Sequence, residues 1–453
     1  MRNVINLLLI CSCASAAFAR EEYTREFRKT VAMPAGKTFR IEHSLGNVNV
    51  RTQGKAEAGI QASIHCTAPN AGEARSCADR IQILVEETAT QVWVRTQYPE
   101  QGRFEGLRGI SYSVNYEVAL PETAPLELRN RFGSVSVANL HAAGVINNTN
   151  GKVTFANGRG RQRIDNAFGD VDVLANDGEV TVVNTNGQVT ASGVTGALDI
   201  RDRFGNVRVT NAGKGVAINS GNGSVEVANV AGAAIITNSF GEVTVKDAKS
   251  DVTVHNQNGR VEAWGVAGTA ELHTSFSPVR FSRIGKTLTV RATNADVTGD
   301  TVGDSATVET SFGSVDLRGV KGSARATAGN ASIRLANISG EVFAKTSFAG
   351  VTVDDAAGPI TVENGNGSIV VAAKAAPRCQ PVSLHTSFGP IRVTVPRGVG
   401  YNVSAKTSFG RIQSQPELAV SGQVGSDSVT GKIAGGGCEL RLMNQNGDIN
   451  ILH

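Results

Sequence analysis

His255 and His273 are the residues whose types most invite a chemical role. They lie one 18-residue step apart in the chain, with Arg291 one step further on. Paired imidazoles are metal-ligand chemistry, but the guanidinium next in line makes a metal pair poor. Cys66, Cys77, Cys379 and Cys438 are the other reactive set. They show no Cys-x-x-Cys or Cys/His spacing of a zinc site. Four cysteines allow three pairings. The local choice is Cys66–Cys77, leaving Cys379–Cys438, as structural disulfides in an oxidising compartment. No His-Glu-x-x-His, P-loop or Gly-x-Ser-x-Gly signature occurs. Calcium-binding nonapeptides of the Gly-Gly-x-Gly-x-Asp type are missing too. The Asn-Gly pairs are turn residues, and the Ser-Phe runs resemble nucleophile settings only by composition. The expectation is no catalytic residue, no metal and no cofactor.

The element that must position all of these is a repeat. Phe132-Gly133-Ser134-Val135-Ser136-Val137 recurs as Asn150-Gly151-Lys152-Val153-Thr154-Phe155, and again at Phe168. The lead residue then falls every 18 residues at Asn186, Phe204, Asn222, Phe240, Asn258, Phe276, Asn294, Phe312, Asn330, Phe348 and Asn366. Phe and Asn alternate without exception, so the repeat is 18 residues at one level and 36 at the next. Later copies loosen, at Phe388, Phe409 and Asn446.

Within one copy, apolar residues alternate before the lead, as at Leu198 and Ile200. That period of two marks a strand with one buried face. A Gly after the lead permits a tight corner, and Val-x-Val follows. Such a unit cannot bury its apolar face alone, but stacked copies can. The fold class expected is all-β: a parallel β-solenoid (β-helix) of about 18 coils. A β-propeller of 36-residue blades is the competing arrangement; its blades usually run ~40–50 residues.

Two residues before the lead stand Asn148, Asn166, Asn184, Asp202, Ser220, Asn238 and Asn256. On the inner side, such amides are expected to hydrogen-bond to one another along the stack. The Phe rings are expected to be buried between smaller Asn rungs. The middle residue of Val-x-Val faces outward, so Arg208 with Glu226, Glu262 with Arg280, and Asp316 with Arg334 are expected as cross-strand charge pairs.

Four segments follow. Residues 1–19 form a signal peptide: Arg2, an apolar run from Val4 to Ile10, and the small-x-small site Ala17-Phe18-Ala19. A lipoprotein signal at Cys13 is the minor alternative. Residues 20–125 break the frame and are expected to form a β-rich cap with one short helix from Ala71 to Arg80. An early repeat copy, Ser44 to Val50, lies inside it. Residues 126–375 are the regular solenoid, and 376–453 are looser coils and a cap.

Composition narrows the function. The chain has 453 residues, 44 Lys+Arg against 40 Asp+Glu, and 51 Gly. The net charge of +4 is dispersed, which excludes the clustered basic face of a nucleic-acid binder. No stretch beyond the signal is long enough to span a bilayer. An exported bacterial protein is expected: periplasmic, cell-surface or secreted.

Val118-Ala119-Leu120-Pro121, Leu126-Glu127-Leu128 and Phe132-Gly133-Ser134-Val135 return as Val393-Thr394-Val395-Pro396, Tyr401-Asn402-Val403 and Phe409-Gly410-Arg411-Ile412. These motifs resemble the bacterial exported proteins described as "putative adhesins", a domain of unknown function with Gly-x-Val-x-Val repeats. The resemblance implies a cell-envelope β-solenoid with no catalytic residues. Three functions are compatible: an adhesive or structural scaffold, a polysaccharide lyase or hydrolase, and an envelope-stress or regulatory partner. The constant coil length from 126 to 366 leaves no long loops for an enzyme's catalytic groups, which favours a non-enzyme. The expected partner is an envelope protein or a glycan.

Overall fold

Valine at every second position lets a short strand bury one face and expose the other. Val180–Asn186 alternates in this way, with Val180, Val182 and Asn184 buried. After the corner, Val189–Val194 does the same through Val189, Ala191 and Val194. Two strands and two corners make one coil. The computed structural model describes residues 20–99, 109–375, 379–420 and 427–453. Residues 1–19, where the signal peptide with Cys11 and Cys13 is expected, lie outside the described residues.

The chain divides into two compact units, Met1–Val137 and Ala138–His453. In the second, each strand pairs in parallel with those one coil before and after. Val180–Asn186 lies between Gln162–Phe168 and Leu198–Phe204, and Val189–Val194 between Val171–Asp177 and Val207–Ala212. Inward Val, Ile, Leu and Ala are almost wholly buried along both strand columns. Each fully buried Val or Ile contributes about 1.5–3 kcal/mol. The fold is an all-β parallel β-solenoid of about 15 turns, fewer than the 18 expected from length alone. Part of the difference is chain spent on connections: among the described residues, 374–375, 379–381, 395–400 and 434–437 add no strand to the stack.

The order of rungs departs from chain order at one place. Val382–Phe388 pairs with Cys438–Asn446, which pairs in turn with Tyr401–Lys406. Ile391–Thr394 and Ile412–Ser414 likewise flank Ile449–Leu452. Residues 438–452 therefore form a rung inserted between two earlier ones. Ser428–Ile433 then lies antiparallel on Tyr401–Lys406 and covers that edge, which manages the open sheet end.

The first unit contains the early repeat copy as a true rung. Phe39 lies beside Leu126 and Ile41 beside Leu128 in parallel register, and Leu45 bridges to Phe132. The chain between them adds antiparallel structure. Glu57–Ala68 pairs with Glu21–Ala32 and with Ser111–Pro121, and Gln82–Glu87 pairs with Gln91–Gln97. Helix Ala71–Arg80 is the expected one. Asn70 caps it by accepting the Glu73 N–H at 2.9 Å, and Ala74, Cys77 and Ala78 form its buried stripe.

Candidate functional site

The corner after the first strand decides which side chains reach solvent. Gly169 has φ +124°, and a Cβ there would collide with the backbone carbonyl of Gly151 one coil earlier. Glycine best lets successive corners approach so closely, although Ala349 holds the same corner after Phe348. This tight corner throws the lead side chain outward. Phe168 is 50 % exposed, Phe240 52 % and Phe312 63 %. The expectation of buried rings is therefore corrected: lead Phe side chains stand half out of the surface. Phe168 lies beside Asn186, Phe240 beside Asn222 and Asn258, and Phe348 and Phe388 each beside Asn366. Phe388 and Phe409 both neighbour Asn446. The alternation survives the change of rung order. In the first unit Phe132 is also half exposed.

The inner column two residues earlier is buried as expected, but it is not chiefly an amide ladder. Asn148 donates to Asn166 Oδ1 at 3.2 Å. Otherwise the amide NH₂ groups donate to corner carbonyls. Asn166 reaches Gly169 (2.9 Å) and Asn184 reaches Gly187 (3.0 Å). Asn256 reaches both Gly241 and Gly259 at 2.9 Å. The tight corner turns its carbonyls inward, where they need a donor, so these Asn side chains hold the corner that exposes the lead. Asp202 occupies the same column, and burial pushes its carboxyl up to about 7.

One stretch of the corner is irregular. Ser277, Ala295 and Ala331 replace the glycine, and the strands stop at Thr274, Ala292, Thr310 and Ala328. A groove of about 590 Å³ opens there, lined by Thr237, His255, His273, Arg291, Glu309 and Thr327 among others. The His255 and His273 rings lie 4.5 Å apart. His273 Nε2 meets Glu271 Oε1 at 2.8 Å, and Arg291 lies 3.7 Å from both Glu271 and Glu309. The His273 hydrogen bond holds the Glu271 carboxyl below its ordinary range. The sequence correctly places the two imidazoles and Arg291 in one column. Among the described residues no group of three or more His, Cys, Asp or Glu is arranged to hold a metal.

The outward charges pair only partly across rungs. Arg208 meets Glu226 at 3.1 Å. Glu262 instead meets Arg260 at 3.6 Å, and Asp316 meets Arg318 at 3.0 Å. Residues two apart on one strand face the same side, so these shorter-range pairs compete with the cross-rung ones.

A second polar cluster lies within the first unit. His43 Nδ1 lies 3.0 Å from the Thr96 hydroxyl, which lies 2.6 Å from Tyr116 Oη. Burial lowers the His43 imidazole to about 4 and pushes the Tyr98 and Tyr116 phenols up. Cys66 is joined to Cys77, tying strand to helix, with Cα atoms 6.2 Å apart. Cys379 is joined to Cys438, with Cα atoms 5.7 Å apart.

Two turns per copy were expected, but sequence reasoning did not identify the residue that makes the second. Seven residues past most leads the backbone is left-handed, at Asn157, Asn211, Asn229, Asp247 and Asn337. Asn, Asp and Gly tolerate that region best, and their recurrence at this position was the available signal.

The architecture is that of a repeat β-solenoid with an exposed aromatic column. The family model described as Toastrack DUF4097 matches residues 246–452, so the likeness to this domain of unknown function is shown over that stretch. Among solved structures, a "putative cell adhesion protein" from Clostridium sporogenes is similar over 95 % of this chain and 99 % of that chain, at 8 % identity. The TM-score is 0.17. No curated protein matches the chain. No helix among the described residues is long and apolar enough to cross a membrane.

Proposed function

We propose that the protein is an exported, non-catalytic binding scaffold of the bacterial envelope, an adhesin in the broad sense. The observation that carries this reading is the column of half-exposed Phe side chains at every second rung. Large apolar side chains arrayed on a soluble surface mark interaction sites. Their burial upon binding would supply the driving force that the tight corner forgoes within the fold. Two disulfides support an oxidising compartment, and the family resemblance supports the envelope.

The test is attachment of the purified protein to envelope surfaces, measured for the native chain and for Phe240→Ser/Phe276→Ser/Phe312→Ser. The native protein is expected to bind, and the variant to lose at least tenfold while keeping its circular dichroism. Equal binding by both would overturn the reading.

A further inference from the structure

The pitch of the aromatic column gives a more specific result. Rungs of a parallel sheet lie about 4.8 Å apart, so alternate Phe side chains recur at about 9.6 Å. The intervening rung carries the small Asn, and before it stands Gly at 221, 329 and 365. From Phe240 to Phe409 the residue before each Phe is Ser. From Phe240 onward each gap between rings is thus an uncharged slot floored by Gly, Thr or Gln, whereas Arg203 lies over the Phe204 ring at 5.1 Å. A ring placed midway would lie about 4.8 Å from both walls, inside the 4.5–7 Å range of aromatic pairs.

We infer that the Phe column of Ala138–His453 docks on the same column of a second copy, the rings of each filling the Asn slots of the other. A second copy is the one surface whose aromatic pitch must equal this one. Area agrees. A Phe buries ~150–250 Å², and the exposed fractions from Phe168 to Phe409 amount to roughly 800 Å² per copy. The pair then buries about 1,600 Å², the size of a standard stable interface.

Symmetry fixes the direction. A two-fold axis along the stack would set Phe against Phe at equal height. A two-fold axis across the stack runs the two columns antiparallel. In this unit the column begins on Asn150 and ends on Phe409, so full antiparallel overlap sets every Phe over an Asn. The axis then passes between the Phe276 and Asn294 rungs. The contact is isologous and closes as a dimer.

This inference rests on the binding role proposed for the Phe column, and the test separates the two. Sedimentation of the mature chain is expected to give a dimer. The triple Phe→Ser variant is expected to be monomeric with unchanged circular dichroism. Deleting Ala234 to Asp251 sets Asn222 beside Asn258, breaks the alternation, and is expected to weaken the dimer at least tenfold. Deleting Val216 to Asp251 restores alternation and is expected to keep it. Orientation is read by cross-linking single thiols with a short bismaleimide. Asn294→Cys lies near the axis and is expected to form covalent dimers. Asn366→Cys lies about nine rungs, roughly 43 Å, from its symmetry mate and is expected not to. Efficient cross-linking at Asn366 would overturn the antiparallel arrangement. A monomeric native chain whose envelope attachment still needs the Phe residues would overturn self-docking and leave the binding role standing. The same holds if a soluble glycan, rather than a second copy, protects the column.

Discussion

The first unit combines parallel rungs with antiparallel strands and buries an imidazole among phenols. The second stacks parallel rungs and buries a carboxyl among amides. In the first, contacts span many different separations: Cys66 and Cys77 are 11 residues apart, while Phe39 pairs with Leu126 and Glu21–Ala32 with Glu57–Ala68. In the second, most strand pairings repeat at one coil's length, and toward the end Cys379 reaches Cys438 across 59 residues. A repeating stack gains stability from register, whereas the unit before it gains stability from particular residues. Perturbations of register and of single groups should therefore fall on them differently.

The largest expected effect is on register. Deleting 17 residues within Ala234 to Asp251 shifts every later strand by one, exchanging its inward and outward faces. Cooperative melting of the second unit should be lost, while the 36-residue deletion should melt close to the native chain. Because Phe240 is outside, the 18-residue deletion should also melt within about 1 kcal/mol of native, in the range of surface changes. If it melts like the 17-residue deletion, the lead ring is part of the core after all.

Disulfides come next. By loop-closure entropy, Cys379→Ser/Cys438→Ser should cost about 4 kcal/mol and Cys66→Ser/Cys77→Ser about 3 kcal/mol. Denaturant melts of the two double variants measure both. A reversed order would show that the local bridge does more than restrain the unfolded chain.

Opposite pH responses sharpen the contrast further. His43 titrates at about 4 when folded and about 6.5 when unfolded. The unfolded chain binds the proton better, so this contribution is present above pH 6.5 and lost as pH falls to 4. Asp202 titrates at about 7 when folded, against 3.8 ordinarily. The folded chain holds that proton better, so this contribution is present below pH 3.8 and lost as pH rises through 7. At its far limit the His43 contribution is worth about 3 kcal/mol and the Asp202 contribution about 4 kcal/mol. Asp202→Asn, matching the amides around it, should raise stability at pH 8 by about 4 kcal/mol and change nothing at pH 3. A stabilisation equal at both pH values would show that packing, not charge, explains it.

The smallest effect should come from Phe240→Ser alone, under about 1 kcal/mol. A loss of several kcal/mol in a thermal melt would return the ring to the core.

Much of this molecule was legible beforehand because an 18-residue period carries its own three-dimensional register. Strands, the inward Asn column, the outward His255–His273–Arg291 column and the helix from Ala71 to Arg80 all follow from periodicity and composition. The exposure of Phe did not follow. Aromatic residues are ordinarily core residues, and nothing local says that a glycine corner will turn Phe168 outward. The groove was hidden for a related reason: it arises where Ser277, Ala295 and Ala331 break the glycine rule, a departure that a consensus reading smooths over. The inserted rung 438–452 escaped because its partners are set by sheet edges rather than by spacing.

That insertion has a consequence in time. Tyr401–Lys406 and Ile412–Ser414 take their parallel neighbours from residues 438–452. As the chain emerges from its N-terminal side, coils up to Thr394 can lay down one upon another in the order they appear. The segment 401–414 cannot; Ser428–Ile433 can cover one edge of Tyr401–Lys406, but its parallel neighbours come only when residues 438–452 arrive to slip beneath it. Assembly of the stack is thus sequential growth followed by a single locking event, and Cys379–Cys438 can close only at that moment. Oxidation of that pair is a record that delivery of the chain through residue 438 is complete.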